Sequence, residues 1–200
     1  MTTARPPLSP TLAADLFPDG LAARVAQHLS LLPAASMEEL AKAAGTSRAT
    51  LFRRFPSRAA LVAELCEAAA HGYLQAVDTA RPEDGPPAQA LERVVEAVGH
   101  LAPVAGLLGL QPLAEHVEAA LLEQAADTEE RLRALVRRGQ RDGSFRVDVD
   151  PEWVLTMLTW MTVAVADSLR LGRLTPAAAQ RHLVATLTGA VVVPAVGGGG

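Results

Sequence analysis

The run Ser36–Leu65, SMEELAKAAGTSRATLFRRFPSRAALVAEL, holds three serines placed as helix starts and one glycine and one proline placed as helix stops. That punctuation allows only short helices at close quarters. Ser36 with Glu39 forms an S-x-x-E capping box, which predicts a helix start. Met37, Leu40, Ala41 and Ala44 then recur at helical spacing. Gly45 follows where a left-handed residue ends a helix. Ser47 is placed to cap a second helix with apolar positions Leu51, Phe52 and Phe55, and Pro56 stops it because the residue before a proline avoids the helical region. Ser57 caps a third helix, with Leu61, Val62 and Leu65 on one face.

Two short helices joined around a glycine make a helix-turn-helix, whose second helix enters the DNA major groove. The residue chemistry agrees. From Thr46 to Ala60 there are four arginines (Arg48, Arg53, Arg54, Arg58) and no acid. Arginine forks onto guanine O6/N7 and onto phosphate. The alternative is that these arginines decorate the wet face of an ordinary bundle. The capping box, Gly45, the acid-free run and Pro56 occurring together favour DNA.

The run from Leu40 to Leu61, LAKAAGTSRATLFRRFPSRAAL, resembles the DNA-binding signature of TetR-type transcriptional regulators. In that signature a helix ends in alanine-glycine. Valine-serine-x-x-threonine-leucine-tyrosine, two variable residues and phenylalanine-proline-x-lysine-x-x-leucine then follow. Thr46 stands for the usual valine, Phe52 for the tyrosine and Arg58 for the lysine, while Arg53 and Arg54 fill places where tyrosine and histidine are common. The resemblance implies that Ser36, Thr46, Ser47 and Arg58 position phosphates and that Arg48, Thr50 and Arg53 face base edges. Phe52 and Arg54 would lie along the DNA backbone or support the helix. A second stretch, GQRDGSFRVDVDPE from Gly139 to Glu152, also resembles the family: a glycine-x-arginine-acid-glycine turn, an extended piece, then Asp-Pro-Glu opening a helix.

The remaining chain reads as all-α, rich in alanine, leucine and valine with few aromatics. The net charge of −4 hides an asymmetry: residues 1–60 carry +3 and residues 61–200 carry −7. A basic end on an acidic body would orient the molecule on DNA. Cys66 is the only cysteine, so no internal disulfide can form. No basic start followed by an apolar core opens the chain, so no signal peptide is expected. The most apolar stretch, Trp153–Ala166, is too short to span a bilayer. A soluble, cytoplasmic protein is expected.

In chain order, residues 1–10 read as a disordered tail. The first helix runs from Leu12 or Asp19 to Leu32, with a stripe of Leu21, Val25, Leu29 and Leu32. Further helices are predicted at 57–80, 88–102, 112–126, 128–142, 151–171 and 176–193. The cluster 81–87 is a turn, and 104–110 is an apolar segment with two glycines that fits a cavity border or a close helix crossing equally. The predicted organisation is a three-helix DNA-binding unit at 11–56, a larger helical ligand-binding and dimerisation domain at 57–193, and a disordered 194–200, with about nine helices in all.

No enzyme constellation is found. The histidines are scattered, no glycine-rich phosphate loop or serine elbow occurs, and no cofactor or metal is expected. The resemblance implies a cavity between the 57–80 and 151–171 helices, and homodimerisation through the last two helices. Tyr73, His116, Trp153, Met157 and Trp160 are the candidate pocket residues; Trp153, Met157 and Trp160 serve equally as core or dimer-interface residues. Few charges fall in these segments, which suits an apolar or aromatic ligand. The function expected is a homodimeric, sequence-specific DNA-binding repressor, released from a near-palindromic operator by such a ligand. The alternative is a helical small-molecule-binding protein with a degenerate DNA-binding head.

Overall fold

A computed structural model of the chain describes residues 20–32, 34–102 and 117–194. These residues form eight α-helices: α1 Gly20–Leu31, α2 Met37–Ala43, α3 Arg48–Arg54, α4 Arg58–Ala80, α5 Pro87–Gly99, α6 Ala119–Arg141, α7 Pro151–Arg170 and α8 Pro176–Val191. The fold is all-α, as expected. The expected tails at 1–10 and 195–200, any helical turn before Gly20, the apolar segment 104–110 and His116 lie outside the described residues.

The helix starts follow the serine signals. Ser36, Ser47 and Ser57 each accept the backbone N–H three residues on. Gly45 is left-handed (φ 66°). Around it the Thr46 N–H reaches the Ala41 carbonyl and the Gly45 N–H reaches that of Lys42, satisfying the last carbonyls of α2. Leu40, Ala41, Ala44, Leu51 and Phe55 are buried with Val25 and Leu29 of α1 and Leu61 and Leu65 of α4 in one core. The first turns of α4 therefore pack with the head. Leu32 departs from the expected stripe: α1 ends at Leu31, the chain turns so that Ala35 N–H bonds the Leu32 carbonyl, and the Leu32 side chain is exposed.

The body packs around α5, which touches α4, α6, α7 and α8. Leu91, Val94, Val95 and Val98 carry its buried face. From Ala119 on, the two helices expected at 112–126 and 128–142 are one continuous α6, and 112–116 lie outside the described residues. No glycine or proline interrupts 119–138, and Leu121, Thr128, Leu132, Leu135 and Val136 continue one buried stripe through the point where a break was read. Asp127-Thr128 looks like a cap locally, but burial of Thr128 keeps it in the helix.

The α4–α5 connection is bound by arginines. Arg81 is left-handed at the end of α4 (φ 46°). Arg93 of α5 donates to the carbonyls of Ala80, Arg81 and Asp84 at 2.8–3.1 Å. Arg138 of α6 donates to those of Pro82 and Glu83. Arg131 bridges Glu83 and Asp78.

After α6 the chain turns at Gly143 (φ 79°) and buries Phe145. Phe145 pairs with Val192 as an isolated antiparallel bridge: Arg146 N–H bonds the Val191 carbonyl and Val193 N–H bonds that of Ser144, both at 2.9 Å. The Phe145 ring lies so close to Gly139 that it fills the space a side chain there would need. Asp150 then caps α7.

Candidate nucleic-acid interface

The site is built on α3. Leu51 and Phe55 turn one face of α3 into the head core, which leaves Arg48, Thr50 and Arg53 toward or partly toward solvent. Ser47 Oγ accepts the Thr50 N–H at 3.1 Å and lies 2.9 Å from the Thr50 hydroxyl, fixing the first turn. Arg48 is extended across the helix, its guanidinium 5.3 Å from the Phe52 ring centre. Its ion pair with Glu38 is long, 3.9 Å, between two well-exposed side chains. Such a pair is worth little and yields readily to a phosphate or base. Arg53 is exposed, with no hydrogen bond or ion pair among the described residues. Thr46 is half-buried at the turn.

Two expected contacts are engaged inside the protein. Arg58 Nη1 donates to the Ala35 carbonyl at 2.6 Å, tying the start of α4 to the α1–α2 connection. Arg54 forks onto Glu64 of α4 and lies over the Phe55 ring, 4.4 Å from its centre. At the α2 start the Ser36 N–H donates to the Glu39 carboxylate at 2.7 Å. That bond, with the one from the Ser36 hydroxyl, holds the Glu39 carboxyl below its ordinary value. A carboxyl lowered on folding stabilises above its ordinary value, and this is lost as pH falls through the lowered one. The α2 start is therefore expected to fray first in acid, and a Glu39→Gln variant to lose that pH dependence in amide exchange.

Sequence reading did not find Glu38, Glu64 or Arg24, which shape this surface. Arg24 of α1 donates to the Ala44 carbonyl at 2.8 Å and so steadies the turn. The only signal of Glu38 and Glu64 is charge opposite to the arginine run, Arg24 has none, and tertiary packing selects the partners.

The candidate pocket residues that are described fall in two groups. Tyr73 and Met157 pack against the body core, where burial pushes the Tyr73 phenol up to about 12. Trp153 and Trp160 are instead 58 % and 56 % exposed on the outer face of α7. A small apolar gap of about 10 Å³ lies between Leu91, Val94, Leu132, Val154, Leu158 and neighbouring apolar groups of the body. It has room for about one water.

Among the described residues no group of three or more His, Cys, Asp or Glu side chains is placed to hold a metal ion, and no helix is long and apolar enough to cross a membrane. Residues 32–65 match the family model of bacterial regulatory proteins of the tetR family. No curated protein matches the chain in sequence. Solved structures match its fold across most of both chains. The TetR-family transcriptional regulator PfmR from Thermus thermophilus is 24 % identical over 85 % of this chain and 92 % of its own, with a TM-score of 0.60. The TetR-like regulator LfrR from Mycobacterium smegmatis, in complex with proflavine, is 21 % identical over 88 % and 97 %, with a TM-score of 0.63. The ketosteroid transcriptional regulator KstR2 of Mycobacterium tuberculosis is 17 % identical over 86 % and 93 %, with a TM-score of 0.64. The head segment thus matches the model of the tetR family of bacterial regulatory proteins, and the all-helical fold that carries it is the fold of solved TetR-family regulators.

Proposed function

We propose that the protein is a homodimeric repressor, rather than an enzyme, that acts in the cytoplasm and binds a near-palindromic operator. The observation that carries this reading is the solvent face of α3, where Arg48, Thr50 and Arg53 are presented from a capped, core-anchored helix with no acid on it. Arg48, Thr50 and Arg53 read base edges. Ser36, Thr46, Ser47 and Arg58 position phosphates, and Phe52 and Arg54 lie along the DNA backbone or support α3. Two heads in one dimer meet successive major grooves. Residues 11–56 form the DNA-binding unit and 57–193 the ligand-binding and dimerisation domain.

The dimer forms through α7 and α8. Only Val154, Leu158, Thr162 and Ala166 of α7 are buried, a narrow stripe on a helix apolar nearly all round. Trp153 and Trp160 of α7 are exposed seven residues apart, and Leu171 at its C-cap is exposed beyond them. The exposed face of α8 is small at Ala185, Thr186 and Gly189, with open space beside Gly189. A second copy is the occupant that covers both. Release follows binding of an apolar or aromatic molecule between α4 and α7, near Tyr73 and Met157. Structures of this fold that are described with proflavine, or as a ketosteroid regulator, support that class. The ligand acts by preferring a second state of the body.

Selection of bound fragments from random duplex DNA at two salt concentrations tests the reading. One enriched palindrome, bound more weakly at high salt, is expected. Binding without any preference would overturn it in favour of a degenerate head. On the selected operator, Arg53→Ala is expected to cost about 1–3 kcal/mol and to relax preference at one base position per half-site. Equal loss on every sequence would remove Arg53 from base reading.

A further inference from the structure

Apolar packing holds α3 in place but is non-directional. Leu51 and Phe55 seat α3 in the head core by apolar contact alone. Base edges, in contrast, are read by hydrogen bonds with narrow limits in distance and angle. A directional contact between α3 and α4 adds such limits, and the Arg54–Glu64 fork supplies one. Arg54 is the last residue of α3, and Glu64 lies in the second turn of α4. Arg54 Nη1 donates to Glu64 Oε2 at 2.6 Å, Nη2 donates to Oε1, and the guanidinium plane rests against Phe55. The two side chains are 38 % and 35 % exposed, against 68 % and 77 % for the Arg48–Glu38 contact, so the pair is the less open of the two. A fork is a two-point contact, so it fixes orientation as well as distance. It also compensates one of the four arginine charges of the acid-free run.

We infer that Glu64 is a specificity-determining positioning residue, which sets the angle of α3 through Arg54 and so aligns Arg48, Thr50 and Arg53 with base edges. This rests on the DNA-reading function proposed above. Glu64 touches no DNA in this scheme, and Arg54 acts as its partner instead of as a phosphate contact.

The test compares wild type, Glu64→Gln and Glu64→Asp on the selected operator and on a random duplex of equal length, each across a salt series. Both variants are expected to lose about tenfold in the operator-to-random affinity ratio, the scale of one charge-assisted contact, while still binding the random duplex. Glu64→Asp keeps the charge but is one methylene too short for the fork, so its loss separates geometry from charge. Two outcomes would overturn the inference. One is tighter binding of Glu64→Gln to both DNAs with a salt slope larger by about one, which would show Arg54 to be a phosphate contact that Glu64 restrains. The other is a Glu64→Asp variant indistinguishable from wild type. A wild type with no preferred sequence would overturn the DNA reading itself and this inference with it.

Discussion

Replacing both Trp153 and Trp160 with glutamate is expected to yield a folded monomer that binds the operator about 100-fold more weakly, or worse. Each tryptophan is more than half exposed in the single chain, so neither holds the body together, and the helical signal should survive. In the proposed dimer each is buried against a second copy, and two introduced carboxylates per subunit would be stripped of water there. Operator binding suffers because two linked heads gain about 10²–10⁴ in avidity over one. Sedimentation at several concentrations checks the first half and operator titration the second. An unchanged dimer with unchanged affinity would move the interface away from α7.

Replacing Phe145 with alanine is expected to cost about 3–5 kcal/mol, the usual range for a large buried aromatic. At about 2–4 °C per kcal/mol for a chain of this size, the Tm falls by roughly 6–20 °C. The ring is 1 % exposed, sits against Gly139, and belongs to the residue that pairs with Val192. Its loss opens a cavity and frees the end of α8 together. Gly139→Ala attacks the same contact from the other side. Its methyl would overlap the ring, with an expected cost of about 1–3 kcal/mol. Thermal melts at fixed protein concentration decide both. A Phe145→Ala melt within 2–3 °C of wild type, about 1 kcal/mol, would mean that the site collapses freely.

The head was legible in sequence because its signals are local. A serine cap, its acidic partner three residues on, a left-handed glycine and a proline act within one turn, and all are used as read. The α6 boundary was misread for the complementary reason. Asp127-Thr128 is ambiguous on its own, and only burial of Thr128 against the body decides for a continuous helix. Leu32 kept the period of its stripe but lies one residue past the end of α1. The partners of Arg48, Arg54 and Arg58 were invisible because Glu38, Glu64 and the Ala35 carbonyl are 10, 10 and 23 residues away. The outward position of Trp153 and Trp160 was open in sequence too, since a helix apolar all round does not say which side faces its own chain.

The arginine-bound connection after α4 has a mechanical consequence. Eight carbonyl or carboxylate contacts from Arg93, Arg131 and Arg138 hold that corner to α5 and α6. The far end of α4 carries Leu61 and Leu65 into the head. With 23 residues, α4 is a rod about 35 Å long, pinned at one end. A tilt of about 5° at the pin sweeps the other end through roughly 3 Å, as much as the full length of a hydrogen bond to a base. A displacement near the pivot too small to disturb the body's packing is thus magnified into one that a DNA groove can detect.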